Sequence, residues 1–324
     1  MRILVTGIAG FLGSNLLDRL IADGHSVIGI DDLSMGRKEN IAHLNGHPQF
    51  TFLEGDICRK DALAGVAKPV DRVVHLAARK IPRYGNRLAT LTVNYEGTRS
   101  VLEFARGLGI KTVLASTSDV YGRNPAVPFS ESESDMVLGS PKSARWAYAV
   151  SKAFDEHLGF AYQEEFGFPV TMLRFFGSYG PRHHLSWWGG PQPVFIAAIL
   201  KGDPVAIHGD GQQTRTFTYV DDTIDGIYRA TMLESADGEV FNIGGTEEVS
   251  ILGLAKLIWE LCATGKPLDV EFVPYESFTG RKYDDVRRRV PDIDLAHDKL
   301  GFLAGTSLAD GLKRTIAWQK GQLP

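Results

Sequence analysis

The chain has 324 residues, of which 44% are hydrophobic and 23% charged, and carries a net charge of −4. This is the composition of an ordinary globular protein long enough for one large core or two coupled ones. It excludes a nucleic-acid binder built on basic surface, and no apolar run reaches the length of a membrane span, so neither nucleic acid nor membrane is expected as a partner.

A strand pattern begins at the N-terminus at once, which leaves no room for a signal peptide. The two cysteines, Cys58 and Cys262, form no disulfide framework and no CxxC metal pattern. Each reads as a small buried apolar residue in a cytoplasmic protein. Ile3, Leu4 and Val5 make a short apolar run that stops at Thr6-Gly7. Gly7, Gly10 and Gly13 then fall in a GxxGxxG pattern, and Phe11, Leu12, Leu16, Leu17 and Leu20 follow at helical spacing. Gly24 is placed to close that helix in a left-handed cap. Residues 27–30 are the next strand and end in Asp31-Asp32.

Each part of this unit has a physical job. Glycines let the backbone turn tightly and approach a pyrophosphate, and the helix that follows offers free amides and its positive end. A carboxylate at the end of the second strand accepts bonds from an adenosine ribose. Strand, glycine triplet, helix, strand and acid in one short unit predict a dinucleotide site. Asp31 would repel a ribose phosphate, so NAD is expected rather than NADP, although Arg37 and Lys38 close behind pull the other way.

Further strands are predicted at 50–53, 72–76, 112–115 and 170–173, and long helices at 91–108 and 145–166. The alternation predicts an α/β fold, a Rossmann-type doubly wound parallel sheet with helices on both faces. Ligands on such sheets sit at the carboxyl ends of the strands. That edge gathers residues 7–13, Asp31, Asp56, Ala77, Ser116 to Asp119, and Phe175 to Gly177. After Arg174 the texture changes, and residues 177–193 are rich in Gly, Pro, Trp and His. Residues 1–176 are read as the nucleotide-binding domain and 177–324 as a smaller substrate domain, with helices near 250–263 and 307–319. The segment near 215–230 is expected to return to the first domain.

Residues 145–152 read Arg-Trp-Ala-Tyr-Ala-Val-Ser-Lys. On a helix, Tyr148 and Lys152 share a face. An ammonium beside a phenol favours the phenolate, and a tyrosine so tuned can take a proton from a sugar hydroxyl.

With the glycine triplet, Asp31, Asn94, STSDVYG and YxxxK in place, the chain resembles the extended short-chain dehydrogenases/reductases of the nucleotide-sugar epimerase/dehydratase type, over essentially its whole length. The resemblance implies that Gly7, Gly10, Phe11, Leu12 and Gly13 hold the NAD pyrophosphate, and that Asp31 and Asp32 meet the adenosine ribose. It implies an adenine pocket at Asp56-Ile57 and further cofactor contacts from Leu76, Ala77, Ala78, Ser116 and Phe175. Tyr148 would be the base for the sugar C4 hydroxyl, with Lys152 holding the nicotinamide ribose and tuning the tyrosine. Thr117 would bond the same hydroxyl, and Asn94 would be structural. Members share a first step that leaves a 4-keto sugar. Epimerases then return the hydride to the other face, dehydratases eliminate water, and decarboxylases let a β-keto acid lose CO2.

The residues after Thr117 discriminate among these. Dehydratases carry Asp-Glu there, whereas this chain has Ser118-Asp119. UDP-glucuronic acid decarboxylases read STSEVYG, one methylene longer than STSDVYG. SPKSARWAYAVSK also resembles the bacterial decarboxylase branch. Arg215 matches an arginine placed near the sugar acid in decarboxylases and near the diphosphate in epimerases; a surface ion pair with Asp210 or Asp221 is the plainer reading. Arg182 and Arg289 are implied contacts to substrate, and Arg287 and Arg288 read as a solvated basic run. Gly177 stands where the family has asparagine, so a side-chain contact to substrate is lost. Asp119 is implied in the later steps. The expected activity is therefore NAD-dependent decarboxylation of UDP-glucuronic acid to UDP-4-keto-pentose or UDP-xylose. The alternatives are a UDP-sugar 4-epimerase and a non-catalytic NAD-binding sensor.

Trp187 and Trp188 read as packing or as a cover for base or sugar. His183 and His184 lack a third ligand at sensible spacing, so no metal is expected. Lys80 could touch the NAD phosphates or lie on the surface. The outer faces of the two long helices would form a homodimer's four-helix bundle, as in relatives.

Overall fold

The computed structural model describes residues 1–59, 61–67, 69–80, 86–275, 277 and 285–322. The chain opens with β1 (Arg2–Thr6), α1 (Phe11–Ala22) and β2 (Ser26–Asp31), then runs through β3 (Phe50–Glu54) and β4 (Arg72–His75) to α2 (Arg87–Arg106). β5 (Lys111–Thr117), α3 (Ala147–Phe166) and β6 (Val170–Phe175) complete the part read as the first domain. A short β7 (Ser178–Tyr179), α4 (Pro191–Lys201), β8 (Val205–His208), β9 (Thr214–Thr216) and β10 (Thr218–Tyr219) follow. Then come α5 (Val220–Met232), β11 (Val240–Ile243), β12 (Glu248–Ser250), α6 (Ile251–Cys262) and β13 (Val270–Val273). The described helices end with α7 (Asp294–Leu300) and α8 (Leu308–Lys320).

The main sheet has seven strands in the order β11-β6-β5-β4-β1-β2-β3, and every pairing is parallel. Parallel strands are covered on both faces and so read as unbroken apolar runs. Ile3, Leu4 and Val5 of β1 are all fully buried. Successive side chains alternate faces. Ile3 and Val5 meet Leu16, Leu17 and Leu20 of α1 and Ile224 and Ile227 of α5. Leu4 lies in the opposite layer with Val101 and Leu102 of α2 and Met172 of β6. The first layer continues into the second half of the chain, through Phe195 and Ile196 of α4 to Leu254 and Ile258 of α6.

Local signals set the ends of the elements. α2 starts four residues before the predicted 91, because Asn86 caps it by accepting from Leu88 N at 2.8 Å. α3 closes on Gly167 at φ 75°, a left-handed cap. Ser250 and Ser307 cap α6 and α8. The helix α4 was not read from the sequence. Its start is hidden in the Gly/Pro-rich stretch, where Pro191 stands at its first turn. α5 packs on α1, and β11 pairs with β6 inside the main sheet. Both lie beyond the boundary drawn at 176. Among the described residues, no helix is long and apolar enough to cross a membrane.

Candidate active site

A cavity of about 580 Å³ opens along the carboxyl edge of the sheet, a size typical of ligand pockets. It is lined by every site residue anticipated from the sequence except Ser118, which is buried, and Arg182.

At one end the glycine turn does what side chains would prevent. Gly7 has φ 71°, and a Cβ there would stand 2.8 Å from Ala77 N. A Cβ on Gly13 would stand 2.1 Å from the Gly7 carbonyl oxygen, so the helix could not seat against the turn. Gly10 leads α1 without a side-chain cap, which leaves the first amides of the helix to an anion. Asp31 closes the turn from β2. One of its oxygens accepts from Ala9 N at 3.0 Å and the other from Leu33 N at 2.8 Å. Burial pushes its carboxyl up. Asp32 accepts from Ser34 N, and Asp56 from Cys58 N. Amide-lined turn, glycine cradle and strand-end carboxylate fit a dinucleotide, with room where its diphosphate passes.

At the other end stands Tyr148, in the first turn of α3. Its phenol stands beside the Thr117 hydroxyl, which favours the ionised form. The buried Asn94 fixes this corner. It accepts from Arg79 N at 2.7 Å and donates to Ser151 Oγ at 2.8 Å, and Ser151 donates to the Tyr148 carbonyl. Lys152 stands one turn after Tyr148 on α3. Its ammonium is 3.1 Å from Asp155 Oδ2, one turn further on, and both side chains are buried. Burial, with Asp119 and Asp155 nearby, pushes the Tyr148 phenol above its ordinary value, opposed by the Thr117 hydroxyl. The helical spacing of Lys152 and Asp155 was a signal that could have revealed this pair.

Beside the tyrosine lies a cluster of guanidiniums. Arg145 and Arg289 both reach Asp119 Oδ1, at 2.9 and 2.7 Å. Arg215 pairs with Asp285 at 3.0 Å, and not with Asp210 or Asp221. Burial lowers the Arg215 guanidinium, and the charges of Arg289 and Arg145 act in the same direction. The Asp119 carboxylate, anticipated as a late participant in catalysis, is thus an ion-pair partner in the structure. Lys80 lines the same cavity, and burial lowers its ammonium to about 8.

Other residues take bland or redirected roles. Arg182 donates to the Ser14 carbonyl at 2.9 Å and pairs with Asp18 at 2.7 Å, tying its loop to α1. The Ser116 hydroxyl donates to Glu156, which also holds Arg174. Gly177 is required by crowding: its φ is 55° and a Cβ would lie 2.4 Å from the Thr216 carbonyl oxygen. Trp187 stacks on His208 at 4.5 Å and meets Phe195 edge-on, while Trp188 lines the cavity. Arg287 and Arg288 are exposed and pair with Asp210 and Glu248. His183 packs against Phe11, and among the described residues no group of three metal-ligating side chains occurs.

A profile of the NAD dependent epimerase/dehydratase family matches residues 3–244. The chain belongs to this family. A UDP-N-acetyl-alpha-D-glucosaminuronate decarboxylase of Bacillus cytotoxicus is 35% identical, over 98% of this chain and 97% of that protein. The UDP-glucuronic acid decarboxylase 1 of Xenopus tropicalis is also 35% identical, over 99% of this chain and 73% of its own length. Among solved structures, the UDP-glucuronic acid 4-epimerase of Bacillus cereus, in complex with UDP-glucuronic acid and NAD, superposes with a TM-score of 0.86 at 32% identity, covering all of both chains. Glycine turn, Asp31 and YxxxK thus stand, in this family member, on one cavity at the carboxyl edge of its sheet.

Proposed function

We propose that the protein is an NAD-dependent decarboxylase of a UDP-linked hexuronic acid, with UDP-glucuronic acid as the first substrate to test. The observation that carries this reading is one cavity holding both the Tyr148–Thr117 pair and the cationic group of Arg145, Arg215 and Arg289. A proton-abstracting pair beside a seat for anions suits a sugar that bears a carboxylate close to the hydroxyl being oxidised. Whole-length similarity to two sugar-acid decarboxylases supports it.

NAD would be held by the glycine turn, by Asp31 and by Lys152, and the chemistry it supplies when bound is a hydride sink and source at C4 of the sugar. The chain's own residues do the rest. Thr117 orients the C4 hydroxyl, and Tyr148 takes its proton. Since burial raises the phenol, its ionised form needs a cation close by. Lys152 is the residue able to supply one, by turning from Asp155. The resulting 4-keto acid loses CO2, because the electrons of the C5–C6 bond can move onto the C4 oxygen, where Tyr148 returns a proton. Arg215 holds substrate anions by its fork of donors.

A second reading, 4-epimerisation of the same acid, draws on the likeness to the Bacillus cereus epimerase and uses the same tyrosine, lysine and threonine. Mass spectrometry of the products from protein, NAD and UDP-glucuronic acid separates the two. Loss of CO2 supports decarboxylation. Unchanged mass with a new chromatographic peak supports epimerisation and overturns the first reading.

The protein acts as a homodimer in this proposal. Tyr95 and Phe154 meet edge to face at 5.6 Å across α2 and α3, and they stand exposed with Leu88 and Val150. An apolar strip along two packed helices suits a bundle with its own copy.

A further inference from the structure

Among the described residues, the guanidiniums of Arg145 and Arg289 both reach one oxygen of Asp119, beside the corner formed by Tyr148 and Thr117. The Asp119 backbone N–H donates to Thr117 Oγ1 at 3.2 Å, and Thr117 lies beside the Tyr148 phenol on the same cavity. Arg145 stands one turn before Tyr148, in the short helix Ala144–Trp146 that leads into α3. Arg289 comes from the far half of the chain, and its buried Nε has no hydrogen-bond partner among the described residues. A sugar whose C4 hydroxyl rests on Tyr148 and Thr117 carries C6 only two bonds away. The C6 group can therefore come within reach of Asp119 and its two arginines.

We infer that Asp119 is an internal counter-ion that lends Arg145 and Arg289 to the C6 carboxylate of the substrate and takes them back after CO2 has left. This rests on the decarboxylase reading. It makes Arg145 and Arg289 specificity-determining residues and Asp119 a positioning residue. In the empty site the guanidiniums are neutralised at home, so they are neither stranded nor free to capture unrelated anions. When the 4-keto acid is bound, the carboxylate competes with Asp119 for them. As the C5–C6 bond breaks, its electron pair moves through C5 to the C4 oxygen and CO2 departs without charge; C5 then takes a proton from solvent while the enol O–H returns its proton to Tyr148 and the ketone re-forms. The negative charge has left C6, so the arginines return to Asp119.

Competition has a kinetic purpose. An interaction speeds a step only if it is stronger in the transition state than in the ground state. Two unopposed arginines would grip the C6 carboxylate hardest before the bond breaks and would hold the reaction back. Asp119 weakens that grip. The hydrogen bonds of Arg145 and Arg289 therefore select the acid, and the aspartate keeps the selection from becoming a trap.

The test compares UDP-glucuronic acid with UDP-glucose, which differ only at C6, on the NAD-loaded full chain. Dissociation constants come from calorimetry, and kcat and KM from CO2 release. Arg145→Met is expected to shrink the preference for the acid by about tenfold to a hundredfold, as loss of a charge-assisted hydrogen bond does. Arg145→Lys keeps the charge without the fork and should recover part of it. Asp119→Asn is expected to bind the acid several-fold more tightly while kcat falls. If the wild type releases CO2 but Arg145→Met, Arg145→Lys and Arg289→Met leave the preference unchanged, the inference is overturned and the reading survives. If Asp119→Asn loses kcat with no gain in affinity, the aspartate is a proton carrier and the inference is overturned. If the wild type releases no CO2 at all, both fall. Melting temperatures of all variants exclude misfolding, and Arg145→Lys covers a failure of Arg145→Met to fold.

Discussion

Replacing Arg174 by methionine should cost about 3–5 kcal/mol of folding stability, the usual penalty for stripping one partner from a buried ion pair. Arg174 and Glu156 are 4% and 3% exposed. The guanidinium grips the carboxylate at two points, with Nε to Oε1 at 3.0 Å and Nη2 to Oε2 at 2.7 Å. Its remaining arm donates to the Tyr121 hydroxyl at 2.8 Å, and that hydroxyl donates to Asn242 Oδ1 at 2.8 Å. One side chain thus ties β6 to α3, to the STSDVYG segment and to β11. Methionine would leave Glu156 in the core with the Ser116 hydroxyl as its remaining partner among these groups. A typical chain is stable by only 5–15 kcal/mol, so a loss of about 3–5 would be a large share. Replacing both residues, as Arg174→Met with Glu156→Leu, removes the stranded charge and should return most of the stability. Urea unfolding followed by circular dichroism reads the difference directly. The reasoning is refuted if Arg174→Met stays within about 1 kcal/mol of wild type, or if the double variant is no more stable than the single one.

Two further predictions concern pH. Asp155 pushes the Tyr148 phenol up and occupies Lys152, so Asp155→Asn should lower the phenol. The acid limb of the kcat/KM profile should then move to lower pH; an unmoved limb would sever the tyrosine from this pair. Lys80 titrates near 8 because burial disfavours its charge. Below that value it is a cation that favours a bound diphosphate, and above it the attraction is gone. NAD affinity measured by calorimetry should fall as pH rises through about 8, and Lys80→Gln should flatten that slope.

The parts of the site that follow local rules were legible. Gly7, Gly10 and Gly13 announce themselves by spacing, and at Gly7 and Gly13 the crowding leaves no room for a Cβ. Tyr148 and Lys152 do so by a single helical turn. Asp31 is marked by its place at the end of an apolar run. What the sequence hides is partnership at a distance. Nothing near Arg289 or Arg145 says that both reach Asp119, since one lies 26 residues after it and the other far down the chain. Arg182 sits in a Gly-Pro-Arg motif that points to substrate, yet Asp18 on α1 offers it a nearer carboxylate. Gly177 looked like the loss of an asparagine contact, and the crowding by Thr216 that excludes any side chain became visible only in three dimensions.

The strand order has a consequence for how such a protein can be re-engineered. β11 enters the main sheet beside β6, although α4, α5 and four short strands lie between them in the chain. A chain cut at 176 would keep the glycine turn, Tyr148 and Lys152, but it would expose β6 as a raw edge open to pairing with other copies. It would also strip α5 from the face it shares with α1. The part of the chain beyond 176 therefore cannot be exchanged at a single splice point. A working chimera needs three crossovers, one after β6 and one on each side of the stretch from α5 to β11, so that recombination carries the seven-stranded sheet across intact.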